Sequence, residues 1–237
     1  MKNQYFSDVN DYRKYGLMRL LTGRGEISKA VCWMLTPDDG RTDGKFTDYL
    51  ESPEKWRRYD PELFDILGDL VLVRGLRNVN QVETSEVLPN ALFYTEITPD
   101  DRKDRAKYFN DFLALAVDCD LIFFDPDNGL EVKSRPYGRK NSSKYVYWRE
   151  LITAFAAGHS LLVYQHFPRI NRDRFVQMKA QELAKKTGAA QIYTFQTPYV
   201  LFLLATQERH KNFFKASATE VIQIWGRQIH LKTHHGN

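Results

Sequence analysis

The sequence predicts a single α/β domain over residues 1–237, built on a mostly parallel sheet with helices on both faces and ending in an antiparallel strand hairpin. Three observations predict it. Short, continuous apolar runs such as Ala30 to Leu35 and Leu121 to Phe124 read as strands buried on both faces. These runs alternate with longer helix-prone segments, the order that builds parallel sheets. The last two runs, Gln191 to Phe195 and Tyr199 to Ala205, are separated by a short Gln-Thr-Pro turn and so must return antiparallel.

The elements follow in order along the chain. Asp11 to Leu21 reads as a helix, with Leu17, Leu20 and Leu21 on one side, and stops near Gly23 and Gly25. The strand Ala30 to Leu35 ends at the turn Thr36-Pro37-Asp38-Asp39-Gly40. Thr47 to Gly68 is polar and helix-prone, and weaker strand signals follow at Val79 to Val82 and Ala91 to Tyr94. Thr98-Pro99-Asp100-Asp101 reads as an N-cap with proline at the first helical position, opening a helix to about Val117. Leu121 to Phe124 is the clearest strand, and Asp125-Pro126-Asp127-Asn128-Gly129 ends it. A helix over about Lys144 to Ala157, the strand Ser160 to Tyr164 and a basic helix from Arg172 to Lys186 lead to the hairpin. No internal repeat or low-complexity linker divides the chain.

Composition excludes several classes. Hydrophobic residues make up 43% and charged residues 27%, so the chain is globular rather than disordered or fibrous. No apolar run reaches the roughly 18 residues of a transmembrane helix, and Met1 to Asn10 has no apolar leader, so no membrane partner and a cytoplasmic location are expected. The two cysteines, Cys32 and Cys119, make neither a disulfide framework nor a zinc site. Lys and Arg number 34 against 30 Asp and Glu, a net +4 too mild to identify a nucleic-acid binder by itself. Aromatics nevertheless interleave with basic residues, as in Lys55-Trp56-Arg57-Arg58-Tyr59, a pattern that suits stacked bases and paired phosphates or, equally, amphipathic helices.

In an open parallel sheet, ligands bind beyond the carboxyl ends of the strands. Three expected strands end in polar clusters: Asp38, Asp39 and Asp43 after the first, Asp125, Asp127 and Asn128 after Leu121 to Phe124, and Gln165, His166 and Arg169 after Ser160 to Tyr164. Pro-Asp-Asp-Gly and Pro-Asp-Asn-Gly are also ordinary turn sequences, and it is their coincidence at strand ends that points to a site. Two chemistries suit it. The Asp125 to Asn128 loop can offer acceptors to an exocyclic amine and orient its lone pair, which is catalysis by positioning. Alternatively, Asp38, Asp39, Asp125 and Asp127 form an all-oxygen site for magnesium or manganese, with His166 as base and Arg169 on a phosphate, as in a nuclease or phosphodiesterase. Pro126-Asp127 followed by Glu131-Val132-Lys133 matches a nuclease signature, but three intervening residues are too few to place both parts around one metal.

The order of elements, ending in a strand hairpin, resembles the Rossmann-like class I S-adenosylmethionine-dependent methyltransferase fold. Asp125-Pro126-Asp127-Asn128 stands where amino-group methyltransferases carry Asp-Pro-Pro-Tyr. Ser7-Asp8-Val9-Asn10-Asp11-Tyr12-Arg13-Lys14-Tyr15 is similar in spacing and character to the Gly-Asn-His-Ala-Asp-x-x-Lys-His segment of bacterial large-subunit ribosomal RNA adenine methyltransferases, and Gly40-Arg41 matches the Gly-Arg of their first loop. The resemblance covers about the first 50 residues and Leu121 to Arg169. It implies S-adenosylmethionine as cofactor, held around Asp38, Asp39 and Gly40, and nucleic acid as partner. It also implies Asp125, Asp127, Asn128 and His166 as catalytic residues, with Asp11, Lys14, Tyr15 and Arg169 on the substrate, and an N-terminal segment folded over the cleft.

The sequence departs from that pattern in three places. Asp38 and Asp39 stand in a loop that is glycine-rich in the family, and no acidic residue is singled out after the second strand for the ribose hydroxyls. Asn128 replaces the aromatic that stacks on a flipped base, a role open to Tyr137, Tyr145 or Phe167. Two alternatives therefore stand beside methyl transfer: the metal-dependent nuclease, and a non-catalytic nucleic-acid-binding relative. In the latter, the helix with Arg172, Arg174, Lys179, Lys185 and Lys186 would follow a phosphate backbone.

Overall fold

A computed structural model of the chain describes residues 2–37 and 46–236. Seven strands form one sheet: β1 (Lys29–Cys32), β2 (Ala91–Tyr94), β3 (Leu121–Phe124), β6 (Ser160–His166), β7 (Gln191–Gln196), β8 (Val200–Ala205) and β9 (His230–His235), in the order β2-β1-β3-β6-β8-β7-β9. Two short strands, β4 (Gly129–Leu130) and β5 (Tyr145–Val146), pair separately. The sheet is parallel from β2 through β6 and antiparallel beyond. The α-helices are α1 (Val9–Leu21), α2 (Pro53–Trp56), α3 (Pro61–Gly68), α4 (Asn80–Thr84), α5 (Arg102–Leu115), α6 (Trp148–Ala156), α7 (Arg172–Thr187) and α8 (Lys211–Trp225). None among the described residues is long and apolar enough to cross a membrane.

Strand side chains alternate between two cores. Val31, Leu121, Phe123 and Leu162 pack with α1, α3 and α8 on one face. Ala30, Ile122, Phe124, Leu161 and Val163 pack with α5, α6 and α7 on the other. Both faces are covered, which is why the parallel strands read as unbroken apolar runs. Register places Cys32, Phe124 and Val163 side by side, so the carboxyl ends of β1 and β3 open at one level while β6 runs three residues further.

Helix α1 is buried along its whole length from Asp11. It lies so close to α8 that a side chain at Gly16 would overlap the Trp225 indole. Two expectations are corrected. Val79 to Val82 belongs to the start of helix α4: Asn78 Oδ1 accepts from the Asn80 amide, and Val79 and Val82, three apart, both turn into the core. Helix α5 is capped by Asp101, which accepts from the amides of Lys103 and Asp104. Thr98 has no part in that cap, and Asp100 binds the amides of Asn141 and Ser143 instead. The hairpin of β7 and β8 is present, but β9 lies beyond β7 as the sheet edge. Its mostly polar sequence suits an edge and hides it from a hydrophobic reading.

One buried clamp fixes the layer beneath the β3 loop. Arg105 on α5 donates from Nε to Glu150 Oε1 at 2.7 Å, and from Nη2 to Glu150 Oε2 at 2.9 Å and the Tyr145 carbonyl at 3.0 Å. Glu150 also caps α6 through the Tyr147 amide. Removing one member strands a buried charge. Glu150→Ala is therefore expected to cost about 3–5 kcal/mol in urea unfolding; a loss below about 1 kcal/mol would contradict the clamp.

Candidate functional site

The carboxyl edge of the parallel strands gathers most of the described polar residues singled out from the sequence. Asp38, Asp39, Gly40, Arg41 and Asp43 lie outside the described residues. Asp125 continues β3, its amide donating to the Cys32 carbonyl at 3.0 Å. Its Oδ2 accepts from Lys14 Nζ at 2.8 Å, and the same ammonium binds Asp11 Oδ1 at 2.8 Å. Lys14 is 1% exposed and Asp125 2%. Asp11 Oδ2 accepts from the Ser7 amide and the Tyr15 hydroxyl, both at 3.0 Å. The rings of Tyr15, Trp33 and Tyr164 surround the ammonium at 5.1, 5.4 and 5.9 Å. Burial opposes the Lys14 charge, yet the carboxylates of Asp11 and Asp125 outweigh it and raise the amine above its ordinary value. Asp11, Lys14 and Tyr15, expected against a substrate, lie beneath the surface and act on Asp125.

The rest of the loop is pinned from three sides. The Thr36 hydroxyl donates to Asp127 Oδ2 at 2.6 Å, tying the end of β1 to the β3 loop. The Asn128 amide donates to the Lys144 carbonyl at 2.9 Å. Gln165 Nε2 donates to the Asn128 carbonyl at 3.1 Å, and Gln165 Oε1 accepts from the Leu130 amide at 2.8 Å. Between them Gly129 has φ +111°, and a Cβ there would stand 2.5 Å from the Gln165 amide group. Glycine is required at that turn on both counts. Asp127 and Asn128 remain half-buried. His166 belongs to β6 and pairs with the Tyr164 hydroxyl at 3.1 Å. Desolvation holds its ring below the ordinary histidine value against the pull of Asp125 and Asp127. Arg169 is exposed just beyond.

Two features at this edge were not singled out from the sequence. Met34, directly after β1, is buried with φ +48°, a left-handed conformation that costs a non-glycine residue of order 1 kcal/mol and collects at functional sites. Glu96 lies two residues past β2, where the bridge between Leu35 and Ile97 holds it beside the β1 end. Its signal was the strand Ala91–Tyr94 itself, counted two residues on.

Among the described residues no group of three or more His, Cys, Asp or Glu side chains could hold a metal ion. At the opposite edge Ser160 Oγ contacts His210 Nδ1 at 3.0 Å, and His210 Nε2 contacts Asp120 Oδ1 at 3.1 Å, an order reminiscent of a nucleophile triad. Ser160 is 0% exposed and its oxygen already accepts from the Gln207 amide, so this is a buried clasp.

No protein-family model matches the chain. No curated protein matches it either. Among solved structures, it is similar to the crystal structure of protein LPL1258 from Legionella pneumophila strain Philadelphia 1, described there by the family model DUF519. The two are 12% identical over 98% of this chain and 97% of that one, with a TM-score of 0.40, a likeness too loose to carry a functional argument.

The segment leading into α1 carries a pH signature. Asp8 caps α1 through the amides of Asn10 and Asp11. Burial, reinforced by the charge of Asp11, pushes its carboxyl from the ordinary 3.8 up to about 7. The folded state thus keeps a proton that the unfolded chain releases, and stability falls as pH rises from about 4 to about 7, then levels. Asp8→Asn keeps the cap and removes the titration. Urea midpoints should show the variant gaining on the wild type between about pH 4.5 and 7.5; parallel curves would refute the assignment.

Proposed function

We propose that the chain is a methyltransferase-like enzyme acting on nucleic acid, with Asp125-Pro126-Asp127-Asn128 as its catalytic loop. The observation that carries this reading is the Lys14 ammonium bound between Asp11 and Asp125, which locks a rigid, acceptor-rich loop onto the carboxyl end of a central parallel strand. That edge is where ligands of open α/β sheets bind. The match between Asp11, Lys14 and the Asp-Pro loop and the corresponding segments of ribosomal RNA adenine methyltransferases supports the same reading.

The residues around the β1 and β2 ends suit S-adenosylmethionine. Glu96 offers an exposed carboxylate for ribose hydroxyls, Ile97 an exposed apolar wall, and the left-handed Met34 turns the backbone sharply at the strand end. When bound, the cofactor supplies an electrophilic methyl group. The chain's own contribution is positioning. Asn128 and Asp127 accept hydrogen bonds from an exocyclic amine and direct its lone pair, while Lys14 fixes Asp125 and Gln165 fixes Asn128 so that neither loop end can relax. Of the aromatics considered for stacking, Tyr137 packs against Tyr147 and Arg149 and Phe167 against Phe175 and Arg172, so position and not ring cover separates them, and Tyr145 belongs to β5. Phe167 lies at the end of β6 beside the loop and takes the role.

The metal-dependent nuclease finds less support. A lysine ammonium 2.8 Å from Asp125 already sits where magnesium or manganese would have to bind, and Asp38 and Asp39 lie outside the described residues. Calorimetry with S-adenosylmethionine and transfer of labelled methyl groups to RNA and DNA test the proposal. Binding is expected, with affinity about 10-fold weaker in Glu96→Gln through loss of charge-assisted hydrogen bonds. Asn128→Ala should lower transfer about 100-fold without changing cofactor affinity. No binding at millimolar cofactor would overturn the reading.

A further inference from the structure

The same sheet edge continues past β6 into the antiparallel half. There the end of β7 at Gln196 pairs with Leu201 of β8 and with His230, the first residue of β9. A cavity of about 310 Å³ opens at this point, with Phe167, Arg172, Thr197, Arg227 and His230 among its walls. A second, of about 410 Å³, shares Arg227 and reaches Arg58 and Tyr59. Among the described residues, no carboxylate lines either one. The neighbouring acid on α7, Asp173, is neutralised by Lys232 at 2.6 Å. The Arg172 guanidinium stands 5.1 Å over the Phe167 ring, and Arg13 donates to Gln228 Oε1 at 2.8 and 3.2 Å, bracing the floor between the two cavities.

We infer that this groove, from Phe167 and Arg172 through Arg227 to Arg58, binds the phosphodiester backbone of a single-stranded nucleic acid. Planar guanidinium forks match phosphate oxygens, and a wall without acids imposes no opposing charge. Phe167 offers a face for a base that is free to stack, which favours a single strand over a duplex. The groove adjoins the Asp125 to Asn128 loop through Phe167 and His166, so a strand held here passes the catalytic edge. The inference rests on nucleic acid being the substrate, as proposed above, and adds where its backbone lies.

It also gives α7 a narrower part than a backbone track along its whole length. At about 1.5 Å per residue, the 16 residues of α7 place Lys185 and Lys186 some 20 Å from Arg172, at the end of the helix remote from the groove. Lys179 is paired with Glu182. Only the start of the helix belongs to the proposed track.

Fluorescence polarisation with labelled single-stranded RNA and DNA oligonucleotides, titrated over a range of salt, tests the groove in the full chain. Arg172→Gln/Arg227→Gln is expected to weaken binding about 10- to 100-fold at 0.1 M salt and to flatten the salt dependence by about one to two phosphate contacts. Lys185→Gln/Lys186→Gln should bind like the wild type, and circular dichroism melting of each variant should match the wild type. Tighter binding of RNA than DNA would point to contacts with the 2′-hydroxyl, and binding of either strand supports the groove. Failure of the wild type to bind either strand, or equal loss in both double variants, would overturn it. If S-adenosylmethionine does not bind while oligonucleotide affinity still depends on Arg172 and Arg227, the catalytic reading falls and the groove stands.

Discussion

A single buried ammonium organises the carboxyl edge of the parallel strands in this protein. Lys14 comes from the first helix, and its partners Asp11 and Asp125 come from that helix and from the central strand β3, 111 residues further on. Taking three charges out of water costs several kcal/mol per ion unless the geometry returns it through close pairing. The pairs at 2.8 Å, the surrounding aromatic faces and the hydrogen bonds to Asp11 provide that return. The consequence is mechanical. Helix α1 cannot shift along the sheet without exposing a charge pair, and the Asp-Pro loop cannot leave the β1 end without stranding Lys14.

The asymmetry of the sheet then divides labour along one edge. Its parallel half brings the ends of β1, β3 and β6 together and concentrates Asp125, Asp127, Asn128 and His166 there. Its antiparallel half returns β8 between β6 and β7 and brings the β9 start to the same edge, with Arg172, Arg227 and His230 around a groove that no acid lines among the described residues. The mild net charge of +4, from 34 Lys and Arg against 30 Asp and Glu, thus conceals an acidic loop and a basic rim on one edge. Such a partition suits a reaction centre that needs acceptors and a polyanion that needs cations.

The parallel strands and the Asp-Pro loop were legible in the sequence because burial on both faces leaves unbroken apolar runs and turn residues end them. What was hidden depended on partners distant in sequence. Val79 and Val82 read as strand because β-branched residues favour it, and only the Asn78 cap and core contact made them helix. β9 is polar because it is an edge, and α8 was not anticipated although Phe214, Val221 and Trp225 bury one side of it. At the site, Asp125 and Lys14 were visible as residue types, but their contact is tertiary. Gln165 looked like a cleft residue, whereas its amide ties Asn128 to Leu130. Glu96 escaped notice because its place is defined by where β2 ends and not by any motif.

The buried Lys14–Asp125 pair is strongly coupled and holds the Asp-Pro loop against the first helix. A double-mutant cycle with Lys14→Met, Asp125→Asn and the double variant, read by urea unfolding at pH 7, measures that coupling directly. The expected coupling energy is about 2 kcal/mol or more, with the double variant more stable than additivity allows. A coupling below about 0.5 kcal/mol would contradict it, since two groups that act independently cannot fix the loop to the first helix.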